Sequence, residues 1–276
     1  MNLKRRLAST SPGLARRLRW ALEKRSDLTR VAIDELSQAG ATVVDIGASD
    51  GVFAERFSRL VGRSGHVHAF EANPEDAGAL ASVQKRCPNV SVYMVGLSDH
   101  GGEAVLHVPV LQGTRRLGRA SVVVPSSRAH VEHEHVTIDL RRLDDMLADT
   151  DNISVIKCDV EGHEHEVLAG AEQVMRRGNP ALVIEIEQRH RQREIAETFA
   201  LLRDSGYEGY GMRGARLVPL DEFDVERDQL RFLELLDETP DADAPAEYVH
   251  NFLFSPAGRE LPAGLKRRLL DHAQRS

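Results

Sequence analysis

Five residues in the second half of the chain carry groups that can move a proton or hold a cation. Asp159, Glu161 and His163 stand two apart in the run Ile156-Lys-Cys-Asp-Val-Glu-Gly-His163, and Glu185 and Glu187 alternate further on. Such a set suits three chemistries. A carboxylate or imidazole can take a proton from an acceptor hydroxyl, a contribution of about 10²–10⁴-fold. Asp159 and Glu185 can instead offer hard oxygen ligands to a divalent metal such as Mg²⁺, which lowers the pKa of a bound hydroxyl. Or Glu161 and Glu164 only favour the N-terminus of a helix, where acids are stabilised. A base among Asp159, Glu161 and His163 is the leading expectation. A metal on Asp159 and Glu185 is the alternative.

For Asp159 to meet a ligand, a strand must deliver it. Ile153–Asp159 is almost continuously apolar, as the centre of a parallel sheet requires. Open α/β sheets bind ligands beyond the carboxyl ends of their strands. A second strand of this kind is followed by Asp45-Ile-Gly47-Ala48-Ser49-Asp50-Gly51, and a third, His66–Phe70, ends at Glu71-Ala72. Strand, glycine-bent loop, helix and acid-tipped strand make half of a nucleotide-binding fold, with Glu71 placed to accept bonds from ribose hydroxyls. The glycine pattern departs from the dinucleotide one. Ser49 and Val52 replace its second and third glycines, and Asp50 would repel a pyrophosphate. S-adenosylmethionine has no phosphate and carries an ammonium and a sulfonium, so acids near the loop are welcome. It is the expected cofactor, with Asp45 helping to hold its amino-acid end.

Strands are predicted at 42–46, 66–70, 90–95, 104–109, 135–140, 153–159, 180–187, 207–212 and 248–254, and helices at 12–38, 50–60, 73–85, 143–147, 162–178 and 191–205. This alternation predicts a doubly wound α/β sheet. Residues 111–130 read as a mobile polar loop whose Arg115, Arg116 and Arg119 suit an anionic group on an acceptor. His130, His133 and His135 tempt a zinc assignment. They lie in a loop running into a strand and alternate with acids, so no zinc site is expected.

The 276 residues include 41% hydrophobic residues, enough for a substantial core. The net charge of −7 argues against a nucleic-acid partner. Charge is uneven: residues 1–30 hold nine Lys or Arg against Glu23 and Asp27. Leu14, Leu18, Ala21, Leu22 and Arg25 predict a basic amphipathic helix there, packed on the domain or docked on a membrane surface or partner. Trp20 reads as its packing anchor. Two cysteines without metal spacing fit a cytoplasmic protein, and neither a signal peptide nor a membrane span is read. The sequence does not set the oligomeric state; a homodimer is compatible with it.

Together, Val44–Gly51, Ala69-Phe-Glu-Ala-Asn-Pro74, Gly96-Leu-Ser-Asp99, Ile156–Gly162 with Glu164, Leu182–Ile186 and Asn251–Phe254 resemble the FkbM-type S-adenosylmethionine-dependent methyltransferases. The resemblance covers about 41–256, leaving a basic helical extension at 1–40 and a helical tail at 257–276. It implies a class I methyltransferase fold, Rossmann-like, with a seven-stranded sheet whose last strand is antiparallel. It implies O-methylation of a sugar, glycan or glycosylated secondary metabolite, the alternatives being methylation of nitrogen or S-adenosylmethionine binding without transfer. It also implies that Asp45, Gly47 and Gly51, with Ala48 and Ser49, form the methionine-end loop. Glu71 would hold the ribose, with Ala72 beside it. Ser98 and Asp99 would contact the adenine, and Asp159 would border the cofactor. The family often has a small residue where this chain has His163.

Overall fold

A computed structural model describes residues 28–111, 114–115, 120–124, 131–191, 193–238 and 244–273. Its main sheet has eight strands: β1 (Thr42–Ile46), β2 (His66–Phe70), β3 (Val90–Tyr93), β8 (Ile153–Cys158), β9 (Ala181–Glu185), β10 (Tyr207–Arg213), β11 (Arg216–Pro219) and β12 (Asn251–Pro256). The order is β11-β10-β12-β9-β8-β1-β2-β3. The five strands from β3 to β9 are parallel, and β12 pairs antiparallel with both β9 and β10. The expected antiparallel strand is therefore present. The sheet has eight strands rather than seven, because β11 adds a hairpin partner at the edge.

The central strands are apolar on both faces because helices cover both. Val43, Val67 and Val155 pack against Ile33, Phe57 and Leu80, while Val44, Ile156 and Ile184 face Leu168, Met175 and Phe252. The helix Leu28–Leu36 adds Leu28 and Ala32 to a third cluster with Val183, Leu253 and Leu265 of the helix Ala263–Ala273. The described parts of both terminal segments are thus packed on the sheet. The rest of the basic extension, with Trp20, lies outside the described residues. Among the described residues no helix is long and apolar enough to cross a membrane.

Between β3 and β8 the chain builds a second sheet, in the order β4-β7-β5-β6, from β4 (Gly96–Leu97), β5 (Gly102–Leu111), β6 (Thr114–Arg115) and β7 (Glu132–Arg141). Its inner face carries Leu106, Val108, Ile138 and Leu140. The loop expected at 111–130 is therefore partly strand, with Ser121 bridged to His107 of β5. Arg115 is engaged by Glu75 and Glu134, so it is not set aside for an anion. Arg116, Arg119 and His130 lie outside the described residues.

Candidate active site

The carboxyl ends of β1, β2 and β8 and the inner face of the second sheet enclose a cavity of about 210 Å³. Gly47, Ser49, Glu71, Ala72 and Asp76 line the end beyond β1 and β2, and Asp159, Val160, Glu161 and His163 the end beyond β8, the two meeting where Gly47 packs on Asp159. Leu97, Leu106, Ile138 and Leu140 form an apolar slot between the sheets.

The floor depends on two close backbone approaches. Gly47 has φ 72°, and a β-carbon there would sit 1.9 Å from the Asp159 carbonyl oxygen. Gly162 has φ 103°, and its β-carbon would sit 2.3 Å from the His190 carbonyl oxygen. Only glycine adopts both the conformation and the separation. The β8 loop is therefore wedged between the β1 loop and the segment leaving β9.

At the first end, Glu71 is fixed by backbone amides. Its Oε2 accepts from the Ser49 amide at 2.7 Å and its Oε1 from the Asn73 amide at 2.8 Å. Burial raises its carboxyl above the usual range, against the pull of those two bonds. Asp76 is pushed up to about 6 by burial and by Glu71, Asp50 and Glu75. This end is an acceptor-rich rim on an apolar slot. A carboxylate with spare lone pairs, a glycine floor and an apolar slot match the ribose and the base of an adenosine group.

Not every expected cofactor residue reaches the cavity. Asp45 is 0% exposed and is not among the lining residues. Burial pushes its carboxyl up to about 6, against the pull of Lys157. The Lys157 ammonium lies 3.5 Å from Asp45, equally far from Asp159, and donates to the Gly47 carbonyl at 3.1 Å. Asp45 thus supports the loop through Lys157 and does not itself line the cavity. Ala48 is buried in the core, and Gly51 makes room for Val83, 2.7 Å from where its β-carbon would be. Ser98 and Asp99, expected at the adenine, are not among the lining residues, which include Gly96 and Leu97 just before them.

The other end gathers acids. One carboxylate oxygen each from Asp159, Glu161 and Glu185 lies within 4.8 Å of the others, a grouping that could hold a metal ion. Burial, then the charges of Asp159, Glu187 and Glu161, push the Glu185 carboxyl well above the usual range. Burial works the same way on Glu187, but His190 and Arg189 outweigh it and hold that carboxyl well below. Tyr248 donates its hydroxyl proton to Glu187, and Arg189 pairs with it at 2.5 Å. Glu161 faces the cavity with φ 54°, a left-handed conformation rare for a side chain of this kind. Its Oε2 lies 2.9 Å from Nδ1 of the buried His190. His163 turns its ring nitrogens to Ser98 Oγ at 3.0 Å and Glu166 at 3.5 Å, and burial lowers its pKa. Glu164, the first residue of the helix Glu164–Ala169, accepts from the Gly162 amide at 2.8 Å.

Sequence reading passed over Lys157, His190 and Ser121. Lys157 was recoverable: it is in register with Asp45 on the neighbouring strand. His190 follows Glu187 on the exit from β9, the position from which such sheets present side chains to ligands. His133 and His135 share a face of β7 with His107 of β5, the rings of His107 and His135 being 4.9 Å apart. Among the described residues, the acidic trio is the one group whose ligand atoms converge as a metal site needs.

Comparison with known proteins gives the site a family. A family model described as the methyltransferase FkbM domain matches residues 45–208. No curated protein matches. Among solved structures, a methyltransferase FkbM from Methylobacillus flagellatus KT is 18% identical, with a TM-score of 0.44 over 87% of this chain and 53% of that one. The chain thus spans about half the length of that protein. Fibrillarin of Aeropyrum pernix, with S-adenosyl-L-methionine natively bound, is 14% identical over 83% of this chain and 72% of that one, with a TM-score of 0.45. An S-adenosylmethionine-dependent O-methyltransferase of Thermotoga maritima is 14% identical over 86% and 67%, with a TM-score of 0.42. The family model covers more than half of the chain, and its span takes in both the glycine loop after β1 and the acidic loop after β8: the protein belongs to the FkbM family of S-adenosylmethionine-dependent methyltransferases.

Proposed function

We propose that this methyltransferase acts on a hydroxyl of a sugar, a glycan or a glycosylated small molecule. The observation that carries the reading is the position of Asp159 and Glu161. Both line the same cavity as Glu71, from the loop after β8. A neutral amine needs no strong base to accept a methyl group, whereas a hydroxyl must lose its proton, and a carboxylate here can take it.

Gly47, Ser49, Glu71 and Ala72 are the residues that would hold the cofactor, which supplies an electrophilic sulfonium methyl when bound. Alignment of the acceptor oxygen then carries much of the rate, on the order of 7–11 kcal/mol in favourable cases. Glu161 is the stronger candidate for the base, because His190 fixes its carboxylate and the left-handed loop presents it to the cavity. Asp159, beside Lys157, is the second. His163 lines the wall, its Nε2 engaged with Ser98 and its Nδ1 3.5 Å from Glu166.

A second reading is favoured by the convergence of Asp159, Glu161 and Glu185. These oxygens suit a hard divalent cation, which would bind the acceptor oxygen and acidify it. The burial and neighbouring charge that raise the Glu185 carboxyl work against such a cation wherever that carboxyl is protonated. The proposed setting is the cytoplasm, with a small-molecule or glycan acceptor, no nucleic acid, and residues 1–30 available for a membrane surface or partner.

The test is a mass screen with S-adenosylmethionine and a panel of methyl glycosides and glycosylated natural products, alongside a matching amine panel. A one-methyl gain on a glycoside oxygen, located by NMR and insensitive to EDTA, is the expected result. Loss of turnover in EDTA with recovery in Mg²⁺ would replace the base by the metal. Methylation of amines alone would overturn the hydroxyl assignment.

A further inference from the structure

The segment 120–124 lies along β5 of the second sheet as a strap. Ala120, Ser121 and Val122 line the cavity. Ser121 is tied to β5 in both directions: its carbonyl accepts from the His107 amide at 2.8 Å and its amide donates to the His107 carbonyl at 3.1 Å. Its hydroxyl accepts from the Val123 amide at 3.0 Å and lies 2.6 Å from the Glu161 carbonyl oxygen. A hydroxyl has one proton, and the Glu161 carbonyl can only accept, so that proton is committed to Glu161.

Glu161 needs such a hold. A non-glycine residue in the left-handed region persists only where its surroundings over-determine it. Three elements do so here. The β9 exit grips the side chain through His190, the following helix grips the Gly162 amide through Glu164, and the strap grips the Glu161 carbonyl through Ser121. The third of these also lines the cavity.

We propose that Ser121 is a positioning residue for methyl transfer, its hydroxyl fixing the Glu161 peptide so that the Glu161 carboxylate faces the acceptor. This rests on the reading of Glu161 as the base. The strap then couples the lining of the cavity to the reacting group. A serine at this point of an inserted hairpin is thus part of the machinery on the β8 loop. Threonine keeps the hydroxyl and alanine removes it, with little change in bulk.

The experiment compares wild type, Ser121→Ala, Ser121→Thr, Glu161→Gln and the double variant Ser121→Ala/Glu161→Gln. Two readouts are taken: turnover of the methyl glycoside used fastest in the panel, and peptide-level amide hydrogen exchange over 157–165. Ser121→Ala is expected to lower kcat about 10–100-fold, with S-adenosylmethionine affinity within about threefold of wild type, and to speed exchange in that peptide. Ser121→Thr should restore most of both. In the Glu161→Gln background the alanine change should cost little more, because residues acting through one another are not additive. Exchange in Ser121→Ala that matches wild type overturns the proposal. So does a kcat loss that persists undiminished in the Glu161→Gln background, or one matched by an equal loss of cofactor affinity. If Glu161→Gln is itself fully active, the base reading fails instead, and the exchange readout still reports whether Ser121 holds the loop.

Discussion

Beyond β2, Glu71 rests on two backbone amides, one from the β1 loop and one from its own turn. Beyond β8, Glu161 sits in a left-handed conformation and is held by Ser121 from the second sheet and His190 from beyond β9. Around it, Glu185 and Glu187 are driven in opposite directions by their surroundings. The first end is assembled from neighbouring turns, the second from distant segments. Each carries a left-handed non-glycine residue, Ser49 or Glu161, and clustered carboxylates. Such cost is tolerated at functional sites.

The largest effect that would sharpen this contrast belongs to the reacting end. Glu161→Gln is expected to lower kcat about 10²–10⁴-fold, measured with the best glycoside, and Asp159→Asn to lower it by less. If Asp159→Asn proves the more damaging, the proton goes to Asp159 and the His190 pair serves structure.

A smaller effect lies just behind the same loop, at Glu164. Burial, only partly offset by Arg191, pushes its carboxyl up from 4.5 to about 7. The native state therefore keeps a proton that the unfolded chain has released. The stability this contributes is full below about pH 4.5 and is lost as pH rises to about 7. Glu164→Gln keeps an oxygen for the Gly162 amide and should flatten that limb in urea unfolding at about pH 5, 6 and 7. An unchanged slope would show that the strain of the reacting end is not electrostatic at this position.

The same contrast explains what was legible in the sequence. Gly47, Glu71 and Asp159 stand out because each closes a strand whose apolar pattern is local. The parallel centre of the sheet and its antiparallel β12 follow from such patterns. β11 does not: Arg216-Leu-Val-Pro219 is a short, partly exposed edge strand inside a polar stretch, with too few residues to set a period. The second sheet was half visible, since β7 alternates from Val136 to Leu140, whereas the strap at Ser121 is recognised only by its bridge to His107. His190 escaped notice because its contact with Glu161 depends on Gly162 admitting its carbonyl across the fold, a relation no sequence window contains. Asp45 was assigned a cofactor contact from its charge and from the family resemblance. Its burial beside Lys157 depends on strand register, which places the ammonium between two acids.

The central claim is that one end of the cavity binds cofactor and the other performs the reaction. Calorimetric titration of S-adenosylmethionine into wild type, Glu71→Ala and Glu161→Gln tests it most directly. The account predicts one site per chain and a Glu71→Ala loss of about 1.5–3 kcal/mol, the size of hydrogen bonds to a charged group, with Glu161→Gln binding as wild type does. Equal losses in both variants, or tight binding of NAD with none of S-adenosylmethionine, would contradict it.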